Sequence, residues 1–573
     1  MSNSVAGRHL PVRLVLVLLT IGLLSAACGT SAVQTERLVP KPGGTAIVAT
    51  VSDPADCWPL RHASLNSMSS LVHSAVLPSA FVLSEQGIWT LNRSLFSQVE
   101  LSSTDPQIVV YTLNSNAVWA DGTPITASDL IANWRAGMAT SLPTALGYRA
   151  IASLVPSGHP GLVVATFAAP YADWRTLFSD LLPASVLAKG PQGCTLPRAT
   201  IDVSGGPFVV SSASREEVRL VRNPKWWGPP VSLDRLVIRR SSSTTTAVEL
   251  VVHNRAQVAT VSNFSTQDVL RASQSPRTTV SVGQSSAMVH LVPGLRRGPL
   301  AQLPLRQLVA AAVDRAALGQ AIVGQSTTNV GVLSSALFAG LSTLENGFDQ
   351  DPPTRPTPVK PLDPAIAAAA GSIGYSFQAG HWVNRSGAPL LIRIGIDRSL
   401  PFSHTFALTL FDQLKSAGIS SVFIEQMGTE GAARALKAGA VDAALIMRVA
   451  PQAPSQEAPW FVMPQNGGVS LENPGAYENA DVAALFASAS GQLNPVDAND
   501  AYSAIDSQIA SDVAAIPLVS LPTLQVWRTR LRGVSIFPFG GSLTQGAERW
   551  SILVSQNPGQ SATARLSPVA VAN

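Results

Sequence analysis

Ile108 to Arg135, IVVYTLNSNAVWADGTPITASDLIANWR, is the stretch whose reading decides the fold. Its first part, Ile108 to Leu113, is β-branched and aromatic, the residue mix that suits a pleated, half-buried strand. Asp121-Gly122-Thr123-Pro124 then supplies a turn, because glycine tolerates positive φ and proline cannot continue a ladder. In Thr126-Ala127-Ser128-Asp129 a hydroxyl can accept from the backbone three residues on while the carboxylate reaches back. This is a capping-box variant with Asp in place of Glu, and a helix is expected to start there. Leu130, Ile131 and Trp134 fall on one side of it, so the stretch reads as strand, tight turn and amphipathic helix.

At 573 residues the chain exceeds one ordinary core and implies two or three domains. It is apolar, with 46% hydrophobic and 13% charged residues, but the excess is Ala, Val and Leu spread along its length. One segment looks membrane-directed. Arg8 and Arg13 precede the apolar run Leu14 to Leu24, followed by small residues and Cys28, the pattern of an export signal. Leu24-Ser25-Ala26-Ala27-Cys28 resembles a bacterial lipobox, with Ser25 in place of the usual Leu. Cys28 is therefore the expected lipidation site, residues 1–27 the signal peptide, and the polar residues 28–42 a tether. The formal charge of +4 drops to +2 without Arg8 and Arg13, and no Lys/Arg run suited to phosphate backbones appears, so nucleic acid is not an expected partner. In an exported chain, Cys57 and Cys194 are candidates for a disulfide, which would contribute about 4 kcal/mol in the chain-entropy model.

Catalytic signatures are missing. There is no His-Glu-x-x-His, no Gly-x-Ser-x-Gly and no phosphate loop, and the eight histidines are scattered without metal-ligand spacing. Neither an enzyme, nor a cofactor, nor a metal is expected. Strands alternate with helices over short links, an α/β reading. Ser67 to Phe81 and Pro170 to Phe178 read as helical, the latter behind its proline. Leu305, Leu308, Val309 and Ala312 recur at helical spacing, with Arg306, Asp314 and Arg315 as caps and surface ion pairs. Trp226 and Trp227 are expected to pack rather than to bind.

The string from Tyr111 through Ala117-Val118-Trp119-Ala120-Asp121-Gly122-Thr123-Pro124 to Leu130 resembles the signature of the family 5 extracytoplasmic solute-binding proteins, the peptide, dipeptide and nickel receptors of ABC importers. Further segments follow in family order: Gly205-Gly206-Pro207-Phe208, Val218 to Gly228, Leu305 to Arg315, Leu362 to Gly371, Leu436 to Leu445, Ala515 to Leu518 and Arg532-Gly533-Val534. The resemblance implies a two-lobed type II periplasmic-binding fold with an inserted extra domain. Residues 43–62, 200–293 and 512–573 would form domain I, 63–199 the inserted domain II, and 294–511 domain III, the second lobe. It also implies a monomer anchored by lipid on the outer face of the cytoplasmic membrane, an ABC permease as partner, and a small solute in the cleft.

By their place after the first strand, Asp53, Cys57, Trp58 and His62 become candidate cleft residues. Peptide receptors of this family hold the ligand's amino terminus with an aspartate, and counting from Asp442 puts that position near Pro451, where no acid stands. Arg448 stands close by; its planar fork would suit a carboxylate, phosphate or sugar hydroxyl, the competing reading being an exposed strand-end charge. Trp460 and Phe461 could stack on a sugar or lipid, or pack in the core. A narrower resemblance, in Leu77 to Phe81, Thr166 to Pro183, Asn223 and Trp227 to Pro230, is to a mycobacterial lipoprotein of this fold tied to phosphatidylinositol mannoside and lipoarabinomannan synthesis. A glycolipid headgroup therefore stands beside a peptide as the expected solute.

Overall fold

Gln107–Leu113 is a strand in which every second residue, from Gln107 through Val109 and Tyr111 to Leu113, is buried, the period of two its sequence requires. It lies inside a four-stranded antiparallel sheet, in the order Phe96–Thr104, Gln107–Leu113, Leu162–Phe167, Ile151–Pro156. Gly122 takes φ +90° in the turn that follows. There Asp121 accepts from the backbone N–H of Thr123 at 2.8 Å and from its hydroxyl at 2.7 Å. Those bonds hold the Asp121 carboxyl below its ordinary value. The helix Ala127–Ala139 begins on the capping box read from the sequence, Asp129 Oδ2 accepting from the Thr126 N–H at 2.8 Å. Asp129 Oδ1 also accepts from the Ala184 N–H at 2.8 Å, which fastens the helix to the chain after Pro183.

The computed structural model describes residues 38–51, 67–85, 87–140, 144–190, 204–262, 264–323, 331–337, 363–400, 402–451, 453–464, 469–536 and 541–556. Residues 41–552 make up one compact unit; residues 1–40 with 553–573 make up another, of which 38–40 and 553–556 are described. The expected signal peptide, Cys28, Cys57 and Cys194 lie outside the described residues. No described helix is long and apolar enough to cross a membrane.

The larger unit is built on an 11-stranded mixed sheet. Its order runs Ser420–Gln426, Leu391–Asp397, Ala443–Val449, Thr278–Pro293, Ile516–Arg528, Val258–Ser262, Thr45–Thr50, Arg235–Arg240, Glu217–Arg222, Phe208–Ala213, with Gly331–Val332 paired to Ile516–Arg528. The two longest strands, Thr278–Pro293 and Ile516–Arg528, sit at its centre and run antiparallel. Their register shifts twice, between Gln284 and Met288 and between Val289 and His290. Each shift falls opposite a proline, Pro522 and Pro517, which offers no N–H to the ladder. At the first, three residues face the single Leu521, and two serines take up carbonyls beside the break. Ser285 Oγ donates to Leu521 O at 2.7 Å and Ser520 Oγ to Ser285 O at 2.9 Å.

Separate cores lie around this sheet. One gathers Ala46, Val48, Leu71, Leu236 and Trp550 at the first-lobe end. A second, with Leu291, Leu308, Ile394, Phe406 and Leu518, fills the other lobe. The four-stranded sheet and its helices have their own, where Tyr111 and Phe178 meet edge to face at 5.1 Å. The architecture is the expected α/β, two-lobed type II fold with an inserted domain. Trp226 and Trp227 pack on each other with centroids 4.6 Å apart.

Three sequence readings need correction. The helix expected over Ser67 to Phe81 is Met68–Val76 only. Leu77 precedes a proline and is extended, at φ −107° and ψ 134°, as that neighbour demands. Pro170 to Phe178 holds a single 3₁₀ turn, Trp174–Thr176, in place of a helix. Phe178 there adopts φ +60°, which a continuing α-helix excludes. Arg306 is no surface ion-pair residue. It is buried, and its guanidinium donates to the carbonyls of Leu300, Ala301 and Asp512 at 2.7 to 3.1 Å.

Asp129→Ala removes both the capping box and the tie to Ala184. A loss of about 2 kcal/mol is expected, read as a lowered urea midpoint at unchanged slope; an unshifted midpoint would show that these bonds contribute nothing net.

Candidate functional site

The strand Ala443–Val449 is buried along most of its length and delivers Arg448 to the interior, opposite Met288 on the central strand. Arg448 is only 7% exposed, so it is not a solvated strand-end charge. Its guanidinium pairs with Glu457 Oε2 and donates to the Ala336 carbonyl. The guanidinium carbon also lies 5.1 Å from the centre of the Trp460 ring. Glu457 closes the 3₁₀ turn Pro454–Glu457 and is 0% exposed. From the other side Asp506, on the helix Pro495–Ser511, accepts from the Ala336 N–H at 3.0 Å. Both backbone groups of Ala336 are thus held by buried charged side chains.

Burial raises all the acids of this cluster. Loss of hydration pushes Glu457 up to about 7 against the attraction of Arg448, with Asp506 adding to the rise. Asp506 and Asp173 are raised by burial too, each partly offset by hydrogen bonds. His290, 1% exposed, is driven well below its ordinary value by burial and by the charges of Arg448 and Arg315, so it is a neutral imidazole at neutral pH. Neither of its ring nitrogens has a hydrogen-bond partner. His290, Arg448, Trp460, Phe461, Asn473 and Tyr477 line a cavity of about 10 Å³, room for one water at most.

The inserted domain meets the second lobe beside this cluster. Ser455 Oγ donates to the Tyr171 hydroxyl at 3.3 Å, Gln456 Nε2 to Thr176 Oγ1 at 3.4 Å, and the Ala172 N–H to Ser490 O at 2.7 Å. Ser455 also bonds Asp173. Several buried polar atoms here remain without a partner, namely Asp173 Oδ2, Glu457 Oε1 and the Tyr502 hydroxyl. Such a set can bind by hydrogen bonds. No group of three His, Cys, Asp or Glu among the described residues could hold a metal ion.

Of the residues singled out in the sequence, the structure brings Arg448, Trp460 and Phe461 together. Phe461 is buried and meets Tyr477 edge to face at 6.4 Å. Asp53, Trp58 and His62 lie outside the described residues. Sequence reasoning missed Glu457, Asp506, Asp173, Tyr171, Ser455 and His290. The one available signal was the polar triplet Ser455-Gln456-Glu457 set between prolines in an apolar region.

Arg448→Met would leave Glu457 buried without its counter-ion, and a loss of about 3–5 kcal/mol is expected on urea unfolding at pH 7.5. The folded pKa of Glu457 is raised, from 4.5 to about 7. Its contribution is therefore fully present below pH 4.5 and is lost as pH rises to about 7. Wild-type stability is expected to decline across that window and Glu457→Gln to decline less, with Asp173 and Asp506 supplying the residual slope; equal slopes would show that Glu457 does not titrate there.

Residues 95–445 match the family profile described as bacterial extracellular solute-binding proteins, family 5, middle region. The oligopeptide-binding protein OppA of Mycobacterium tuberculosis is 39% identical over 183 residues, 30% of this chain and 30% of that protein. The probable monoacyl phosphatidylinositol tetramannoside-binding protein LpqW of the same species is 28% identical over 390 residues, 63% of this chain and 61% of that one. The matches thus span less than two thirds of these relatives' length. Among solved structures, the periplasmic EDTA-binding protein EppA superposes with a TM-score of 0.78 at 21% identity, covering 91% of this chain and 99% of that one. The oligopeptide-binding protein AppA of Bacillus subtilis, in complex with a nonapeptide, does so with 0.69 at 15%, covering 90% and 100%. At those identities the likeness establishes the fold. With the profile matched over more than half of its length and the fold in agreement, the chain belongs to the bacterial extracellular solute-binding proteins of family 5.

Proposed function

We propose that this protein captures a small solute between its two lobes and presents it to an ABC importer, as a monomer held by lipid at Cys28 on the outer face of the cytoplasmic membrane. The observation that carries the reading is the buried polar cluster where the inserted domain meets the second lobe, with acceptors and donors still unpaired. A solute entering there would supply the missing partners, and hinge closure around a ligand is how such folds work. The hinge is assigned to the register shifts of Thr278–Pro293 against Ile516–Arg528. Domain I is assigned to 43–62, 200–293 and 512–573, domain II to 63–199 and domain III to 294–511. Asp53, Trp58 and His62 are proposed to form the first-lobe wall of the cleft. Arg448, Trp460 and Phe461 support the second-lobe wall, Arg448 by fixing Ala336 and Glu457.

A second reading, a regulator of glycolipid assembly that keeps the fold without serving transport, is favoured by one feature. The residues after Ala443–Val449 carry no acid near Pro451, and the nearby Glu457 is paired with Arg448. A free ammonium, such as a peptide's amino end, therefore finds no unshared carboxylate at that point.

A thermal-shift screen separates the two. A ligand that binds only the folded chain raises stability by RT ln(1 + [L]/Kd), about 2.7 kcal/mol at a hundredfold excess over Kd. Short peptides raising the melting temperature would support import of peptides; phosphatidylinositol mannosides alone doing so would support the glycolipid role. A melting temperature unmoved by either class would overturn solute capture of both kinds.

A further inference from the structure

A second cavity, of about 540 Å³, opens where the helix Met68–Val76, the hairpin Phe81–Leu83 with Trp89–Leu91, and the segment 542–549 converge. None of the residues of the inter-lobe cluster lines it. Its volume lies within the range of small-molecule sites, about 300–1,000 Å³. Two tryptophans, Trp89 and Trp226, flank it, both partly buried. Trp226 is held by its Nε1–H bond to Pro229 O at 2.7 Å and by contact with the tilted ring of Trp227, whose own Nε1 donates to Val118 O at 2.8 Å.

Asp180 completes the lining. It adopts φ +49°, two residues after Phe178 at φ +60°, a conformation that non-glycine residues rarely take. The neighbours impose it. Phe178 N–H donates to the Tyr148 hydroxyl at 2.8 Å, Asp180 N–H to Ser79 Oγ at 2.9 Å and Leu181 N–H to Pro78 O at 2.8 Å. Strained residues held this way gather at ligand clamps. The carboxylate itself has no hydrogen-bond or ion-pair partner among the described residues, and burial pushes it up to about 6. Glu85 and Glu548, Arg93 and Arg549 line the same cavity, and the Tyr148 phenol lies close enough to feel the charge of Asp180. Neither arginine pairs with it; Arg93 is exposed, and Arg549 reaches Ser535 Oγ at 3.5 Å. Three acids against two bases leave the cavity one negative charge in excess.

We propose that this cavity is a second binding site, for a small ligand bearing a primary ammonium on an apolar stem, with Asp180 as counter-ion and Trp89 and Trp226 as aromatic walls. An ammonium supplies what the carboxylate lacks, a positive charge and three donors. The tryptophan faces add attraction for the same cation and cover its stem. The site is independent of solute capture between the lobes.

The test is calorimetric titration of the full chain with phenethylamine, with 2-phenylethanol as the uncharged match. Saturable binding of phenethylamine at one site per chain is expected, about tenfold weaker at pH 5 than at pH 7.5, because the carboxylate protonates near 6 while the ammonium stays charged. Asp180→Asn, nearly the same shape, should melt no lower than wild type yet bind phenethylamine at least tenfold more weakly, about the level of 2-phenylethanol; Trp226→Ala should weaken both probes. Glu457→Gln should leave binding unchanged. Failure to saturate, equal affinity for the two probes, undiminished binding by Asp180→Asn, or loss of binding in Glu457→Gln would each overturn the assignment.

Discussion

The antiparallel ladder between Thr278–Pro293 and Ile516–Arg528 is the constraint on which the rest of the larger unit depends. First-lobe strands pair to one side of it and second-lobe strands to the other, so each lobe keeps its own core while sharing one sheet. A ladder containing two prolines must lose donors where they fall. The chain absorbs the loss with local register shifts and, at the first, with the hydroxyls of Ser285 and Ser520. The same first shift frees the Ser286 carbonyl to accept from the Ala450 N–H at 2.6 Å. That bond sets where the chain leaves Ala443–Val449 and hence where Pro454–Glu457 can begin.

From there the buried charges take over the positioning. A buried ion pair is a weak source of stability, since its desolvation cost rivals its attraction. Arg448 and Glu457 illustrate it, Glu457 rising to about 7 with the guanidinium in contact. What the pair supplies is location. It anchors the 3₁₀ turn to the strand and, through Ala336, to the helix bearing Asp506. Ser455 and Gln456, on that same turn, are the residues that reach the inserted domain. An apolar replacement could fill the space, but it could not fix the carbonyl and N–H of Ala336 at once.

How much of this was legible in the sequence follows from the range of the interactions. The strand Gln107–Leu113 and the Thr126–Asp129 box are local, with period two in one and a span of three residues in the other, and both stood in the residue order. Pro170 to Phe178 carried the same local signals, a proline followed by well-spaced apolar residues, and did not become a helix. Tyr171 and Thr176 there are engaged by residues some 280 positions away, and no local pattern encodes that. Arg448 stands out in the sequence because the family pattern places a ligand contact there. Its partner Glu457 lies nine residues on, beyond two prolines, a spacing that belongs to neither helix nor strand. Arg306 reads as a surface residue for a related reason, because an arginine on a helix bonding backbone carbonyls looks, in sequence, like one facing solvent.

Glu457 and Asp180 show how the same cause yields different consequences. Desolvation dominates the shift of each carboxyl, and each titrates near neutrality. Glu457 is fully enclosed and meets a guanidinium, so its charge serves to order the chain around it. Asp180 lines an open cavity, is held by a backbone that L-residues resist, and meets no cation. Asp180 is half-buried, and withdrawing a carboxylate even partly from water without a partner is costly. The cost is rational where a partner arrives from outside. This contrast, rather than the size of the cavity, is what separates a carboxylate placed for architecture from one placed to meet a ligand.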